Sequence, residues 1–200
     1  MNKFTRAVCL GSALVVSACG GPEPVEEASL AQQEAAFAVP ATATAHGCNF
    51  TLYALDRPNV LPPTYDIKLN RFGSTCPYGD LTVVLGTSYS TEPKLSMQGN
   101  ALGVALSYSV QSSYSGSAAR YLVFSHVDPA TLAVVRNADI RGDYPYGQVN
   151  SGNVWIESNG TTVTVNGVMS GTIQGRPGTR YTATFPDFFT STTAPSYYIR

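Results

Sequence analysis

An all-β domain, folded as an antiparallel β-sandwich or barrel-like sheet and preceded by a disordered tether, is what the sequence predicts. Three observations carry this. From Cys48 onward apolar residues recur with a period of two, the spacing of strands that turn one face to a core. Asp-Pro, Gly-Asn and Asn-Gly pairs punctuate those runs at hairpin intervals. Beyond the tether no segment shows the 3.6-residue period of an amphipathic helix.

The chain opens with Lys3 and Arg6, an apolar run from Ala7 to Val16, and then Val16-Ser17-Ala18-Cys19. A basic start, a short apolar centre and small residues before a cut are the layout of a secretory signal. The run is shorter than the roughly 20 residues a membrane-spanning helix needs. Val16-Ser17-Ala18-Cys19 resembles the lipobox of bacterial lipoproteins. The resemblance implies that residues 1–18 are a cleaved signal peptide and that the Cys19 sulfur carries a diacylglyceryl group. It also implies acylation of the new amino terminus, so that two or three chains hold the protein in a membrane. Gly20, where an Asp would suggest inner-membrane retention, points to the outer membrane of the cell envelope.

Residues 19–46 read as the linker. Gly20-Gly21-Pro22, Pro24 and Pro40 break regular structure, and Glu23, Glu26, Glu27 and Glu34 keep it solvated. A flexible chain of this length spans about 28 Å. Glu26 to Ala38 is rich in helix formers, but an isolated helix so short is marginal.

Residues 47–200 then form the single β-domain. Val104, Leu106, Tyr108 and Val110 alternate with Ala105, Ser107 and Ser109, which predicts a strand with one buried face. Ile67 and Leu69, Val163 and Val165, and Tyr181, Ala183 and Phe185 alternate in the same way. Tyr121–Val127 is apolar on both sides and reads as a central strand. Turns are expected at Gln98-Gly99-Asn100, at Asp128-Pro129-Ala130-Thr131 and at Ser158-Asn159-Gly160. The segments beginning at Leu95 and Trp155 echo each other at an offset of about 60 residues, both reading strand, turn, strand. Val127–Val135 is similar to a blade hairpin of extracytoplasmic β-propellers, with Leu132 where a Gly is expected. A propeller-like fragment is therefore the alternative architecture.

Cys9 leaves with the signal and Cys19 takes lipid, so Cys48 and Cys76 remain as an even pair in an oxidising compartment, and a disulfide is expected. Closing that loop stabilises a fold by about 3–4 kcal/mol in the chain-entropy account.

Chemistry-bearing patterns are sparse. A net charge of −1 with 12 % charged residues gives no basic patch for nucleic acid and no polybasic segment for anionic lipid. Two histidines leave too few ligands for a zinc site, and no metal or cofactor is expected. Ser125, His126 and Asp128 invite a triad reading, but strand neighbours point to opposite faces, and no Gly-x-Ser-x-Gly elbow occurs. Asp80, Asp139 and Asp143 lack the alternation of a calcium loop. No catalytic residue is assigned. Tyr144 and Tyr146, in a Gly-rich polar loop, and Trp155 are the candidate ligand-binding residues, since such rings stack on sugars or proteins. The expected protein is a lipid-anchored, non-catalytic envelope component. Its partners are the membrane, through the anchor, and a carbohydrate or envelope protein. The alternatives are a small extracytoplasmic hydrolase using carboxylates such as Asp66, Asp80 or Asp143, and a purely structural envelope component.

Overall fold

The computed structural model describes residues 38–200; the expected signal peptide, Cys19 and the expected linker up to residue 37 lie outside the described residues. No helix occurs among the described residues. The strands form three successive antiparallel meanders. The first sheet joins β1 (Ala41–Ala45), β2 (Cys48–Asp56), β3 (Thr64–Phe72) and β4 (Leu81–Tyr89) in that order. The second joins β5 (Leu95–Asn100), β6 (Gly103–Gln111), β7 (Arg120–Val127) and β8 (Val134–Asn137). The third runs β10 (Asn153–Ile156), β11 (Val163–Ser170), β14 (Arg180–Phe185), β15 (Ser196–Ile199), with β9 (Gln148–Val149) paired to the end of β11. A small hairpin, β12 (Thr172–Ile173) with β13 (Arg176–Pro177), sits in the connection between β11 and β14.

The sheets stack as three layers with the second in the middle. One core joins the first and second sheets through Phe50, Leu52, Ile67 and Leu69 on one side and Val104, Leu106, Tyr108 and Val110 on the other. A separate core joins the second and third through Ala105, Leu122 and Phe124 against Val154, Val163, Val165, Tyr181 and Phe185. The single buried face expected for Val104–Val110 is therefore corrected: every residue of β6 is buried. Ser107 and Ser109 looked like a solvent face because they are polar. They are instead buried with their hydrogen bonds made, Ser107 Oγ donating to Gly152 O at 2.7 Å and Ser109 Oγ accepting from the Lys94 N–H at 2.8 Å. The arrangement is an open stack and not a closed barrel.

The first strands of the sheets lie side by side. Ser96 and Gln98 of β5 accept hydrogen bonds from the Val154 and Ile156 N–H groups of β10 at 2.9 and 2.8 Å. Two side chains thus do for the edge of the third sheet what another strand would do. The first hairpin turns meet at one end: His46 Nε2 lies 2.9 Å from Ala101 O, and Asn100 Nδ2 donates to Gly160 O at 2.7 Å. The segments at Leu95 and Trp155 are corresponding hairpins, β5–β6 and β10–β11.

The structure shifts two sequence boundaries. Ala41–Ala45, expected in the linker, is β1, and all five residues pair with β2. Alternating Ala and Thr lack bulk, yet small residues are what let β1 approach β5 so closely that a Cβ on Gly99 would fall 2.6 Å from Thr44 O. The turn expected at Gln98-Gly99-Asn100 falls later, at Ala101-Leu102, because Asn100 pairs with Gly103. Cys48 and Cys76 are disulfide-bonded and tie the β3–β4 loop to the start of β2. Just after β14 the chain packs down: Phe188 stacks on Phe124 with centroids 4.2 Å apart, and Phe189 meets His126 edge-on at 5.0 Å.

Two arginines fasten the layers. Buried Arg71 donates to the carbonyls of Tyr78, Gly79, Pro129 and Ala130, joining the first sheet to the β7–β8 turn. Arg136 donates to the carbonyls of Phe188, Ser191 and Thr193, joining the second sheet to the loop after β14.

Candidate functional site

Strand direction gives the stack two ends. The first end carries the turns at His46-Gly47, Ala101-Leu102 and Asn159-Gly160. The second carries the loops 57–63, 112–119 and 138–147, and it is where the chain enters at Ala38. The Thr64 and Tyr114 hydroxyls, 3.0 Å apart, align the second end of the first two sheets. Arg141 over the Tyr121 ring, at 4.0 Å, brings the 138–147 loop to the same end.

The candidate ligand-binding residues separate onto two surfaces. Tyr144 and Tyr146 are 97 % and 82 % exposed in the entry-end loop. Asp143 holds that loop by accepting from the Gln174 and Gly175 N–H groups at 3.0 and 2.7 Å. Those bonds, the Gly175 one foremost, keep its carboxyl below the usual range. Gly142 and Gly147 cross so closely that a Cβ on Gly142 would fall 2.2 Å from the Gly147 carbonyl carbon. A cleft of about 250 Å³ lies beside the loop, lined by Tyr121, Tyr144, Arg120 and Arg141.

Trp155 belongs elsewhere. It pairs with Thr164, whereas Gln148, next to the tyrosine loop, pairs with Ser170 six positions further along β11, or about 20 Å. Trp155 is 58 % exposed on the outer face of the third sheet. Register places Thr164, Thr184 and Ser196 in its row, and Asn153, Asn166, Thr182 and Tyr198 in the next. Tyr198 is 65 % exposed and is not among the candidates the sequence singles out. The signal was present: in Ser196-Tyr197-Tyr198-Ile199 a period of two turns Tyr197 and Ile199 to the core and leaves Tyr198 outside. Three interstrand spacings and two residues along the strand separate the two positions, about 16 Å. Between them lie hydroxyls and amides. Thr182 Oγ1 donates to Asn166 Oδ1 at 2.6 Å, which leaves the Asn166 NH₂ to donate elsewhere.

The triad residues stay apart. Ser125 Oγ donates to Asn137 Oδ1 at 2.5 Å. Asp128 Oδ1 caps the turn by accepting from the Ala130 and Thr131 N–H groups and the Thr131 hydroxyl. His126 is buried, its Nδ1 has no partner among the described residues, and burial pulls its pKa below the ordinary value. Among the carboxylates, Asp66 binds Arg57 at 2.7 Å and Asp139 binds Arg141 at 2.8 Å. Asp80, Asp139 and Asp143 do not form a cation-binding group.

No protein-family model matches the chain, and neither a curated protein nor a solved structure matches it.

Proposed function

We propose that the protein is a lipid-anchored, non-catalytic binding module of the cell envelope, whose β-domain holds a neutral oligosaccharide across the outer face of its third sheet. The observation that carries this is the pairing of exposed Trp155 and Tyr198 across a surface of Thr and Asn side chains. Rings stack on the apolar faces of sugars, while hydroxyls and amides exchange hydrogen bonds with sugar hydroxyls. The separation of about 16 Å suits an extended chain, since one small sugar cannot touch both rings. The anchor supplies the location: Cys19 in a lipobox-like context fixes the chain to the outer membrane, and the tether holds the domain beside the envelope polymers.

Titration of the protein with an N-acetylglucosamine hexasaccharide tests the binding surface. Saturable binding is expected, weakened at least tenfold by Trp155→Ala or Tyr198→Ala and unchanged by Tyr146→Ala. Equal binding by all variants would remove the third sheet as the site. Mass spectrometry of the mature amino terminus tests the anchor, with a diacylglyceryl-modified Cys19 expected. An unmodified start at another residue refutes it.

A further inference from the structure

The entry end of the domain carries a second surface, which the oligosaccharide reading leaves unused. Four large apolar or aromatic side chains of the described residues are more than four-fifths exposed: Val39, Leu61, Tyr144 and Tyr146. All four stand at this one end, although they lie as far apart as residues 39 and 146 in sequence. Charge is divided between the ends as well. With the Arg57–Asp66 and Arg141–Asp139 pairs set aside, the entry end keeps Lys94, Arg120, Arg176, Arg180 and Arg200, of which Arg120 donates to Gln111 Oε1 at 3.2 Å and Arg176 spares one N–H for Tyr197 O at 3.1 Å. Facing them are Asp56, Glu92 and Asp143, the last already held by backbone amides. The opposite end presents Asp80, Asp128, Glu157 and Asp187, of which Asp128 is held by backbone amides as Asp143 is. Its two cations, Arg71 and Arg136, are spent on backbone carbonyls.

We infer that the entry end docks on an anionic membrane surface. Leu61, Tyr144 and Tyr146 enter the headgroup region, and the cations at this end lie against lipid phosphates. Tyrosine suits that depth because its ring is apolar and its hydroxyl stays wet. Cations near an anionic leaflet gain from its surface potential, and the acidic opposite end is repelled. The chain enters at this same end, with eighteen residues between Cys19 and Ala38. This inference rests on the anchor proposed above. It adds an orientation: the domain stands on its entry end, with the acidic end outward and the third sheet's outer face open at the side.

The test uses the acylated full-length product purified from membranes. An environment-sensitive fluorophore is attached at Tyr144→Cys or, as a control at the opposite end, at Leu102→Cys. Each is reconstituted into vesicles of phosphatidylglycerol and phosphatidylcholine, and into phosphatidylcholine alone. Expected is emission at position 144 at least threefold brighter than at position 102 on the anionic vesicles. That excess should fall at least twofold on neutral vesicles and again with Arg176→Glu and Arg180→Glu together. A chain that floats with vesicles while both labels stay in water, or whose label at 102 is the brighter, overturns the docking and leaves the anchor standing. A chain that does not float overturns both. Equal emission on the two vesicle types overturns the role of the cations.

Discussion

Replacing Arg71 by Met removes one guanidinium and leaves four carbonyls behind. The side chain is buried and holds Gly79 O and Tyr78 O at 2.8 Å each, Pro129 O at 3.0 Å, and Ala130 O. Each hydrogen bond from a charged donor is worth about 1.5–3 kcal/mol. Against that gross gain stands the cost of taking a guanidinium out of water, several kcal/mol. Met keeps the apolar stem, so packing is largely retained while the four acceptors lose their donor. The net loss works out at about 3–5 kcal/mol. With a urea slope near 2 kcal/mol per molar, the unfolding midpoint falls by about 2 M. Arg71→Lys should recover less than half, because an ammonium cannot fan out to carbonyls on two separate loops. An Arg71→Met protein within about 1 kcal/mol of the parent would show that water serves these carbonyls and that Arg71 is no fastener between sheets.

Reducing the Cys48–Cys76 bond, which closes a separation of 28 residues, should cost about 3–4 kcal/mol by urea unfolding; an unchanged midpoint would contradict that. Because the Cys76 loop also supplies Tyr78 and Gly79 to Arg71, the two losses should be non-additive in a double-variant cycle. Acidification should destabilise the domain through His126. Its folded pKa is lowered by burial, so the folded state holds the neutral ring while the unfolded chain protonates near 6.5. Its contribution is then full above that pH and is lost as pH falls from there toward the folded pKa, and His126→Leu should flatten the slope between about pH 7.5 and 5.5. Ser96→Ala with Gln98→Leu should accelerate hydrogen exchange at the Val154 and Ile156 amides, whose protection at the β10 edge comes from those two side chains; unchanged exchange would show that the edge is guarded otherwise.

The recurrence of Ile67 and Leu69, of Val163 and Val165 and of Tyr181 and Ala183 at every second position makes the strands legible, because a half-buried strand leaves a period-two trace. The Asn159-Gly160 and Asp128-Pro129 turns were legible for the same local reason. The number of layers was not. Ser107 and Ser109 read as a wet face, and only the third sheet, bringing Gly152 O to Ser107, makes that face an interior. β1 escaped notice because Ala41–Ala45 has no side chain large enough to announce a core. Of the aromatics, Tyr144, Tyr146 and Trp155 stood out by their polar surroundings, but register decides which share a surface, and Trp155 goes with Tyr198. The entry-end cations are scattered from Lys94 to Arg200 and form no basic run. Their grouping follows from the strand order alone.

Trp155 is the only tryptophan in the chain, so its fluorescence reports directly on the third-sheet face. Titration with the N-acetylglucosamine hexasaccharide should shift its emission to shorter wavelength and saturate, with Tyr198→Ala moving the midpoint at least tenfold higher. An emission spectrum unmoved at saturating sugar would contradict oligosaccharide binding across this sheet.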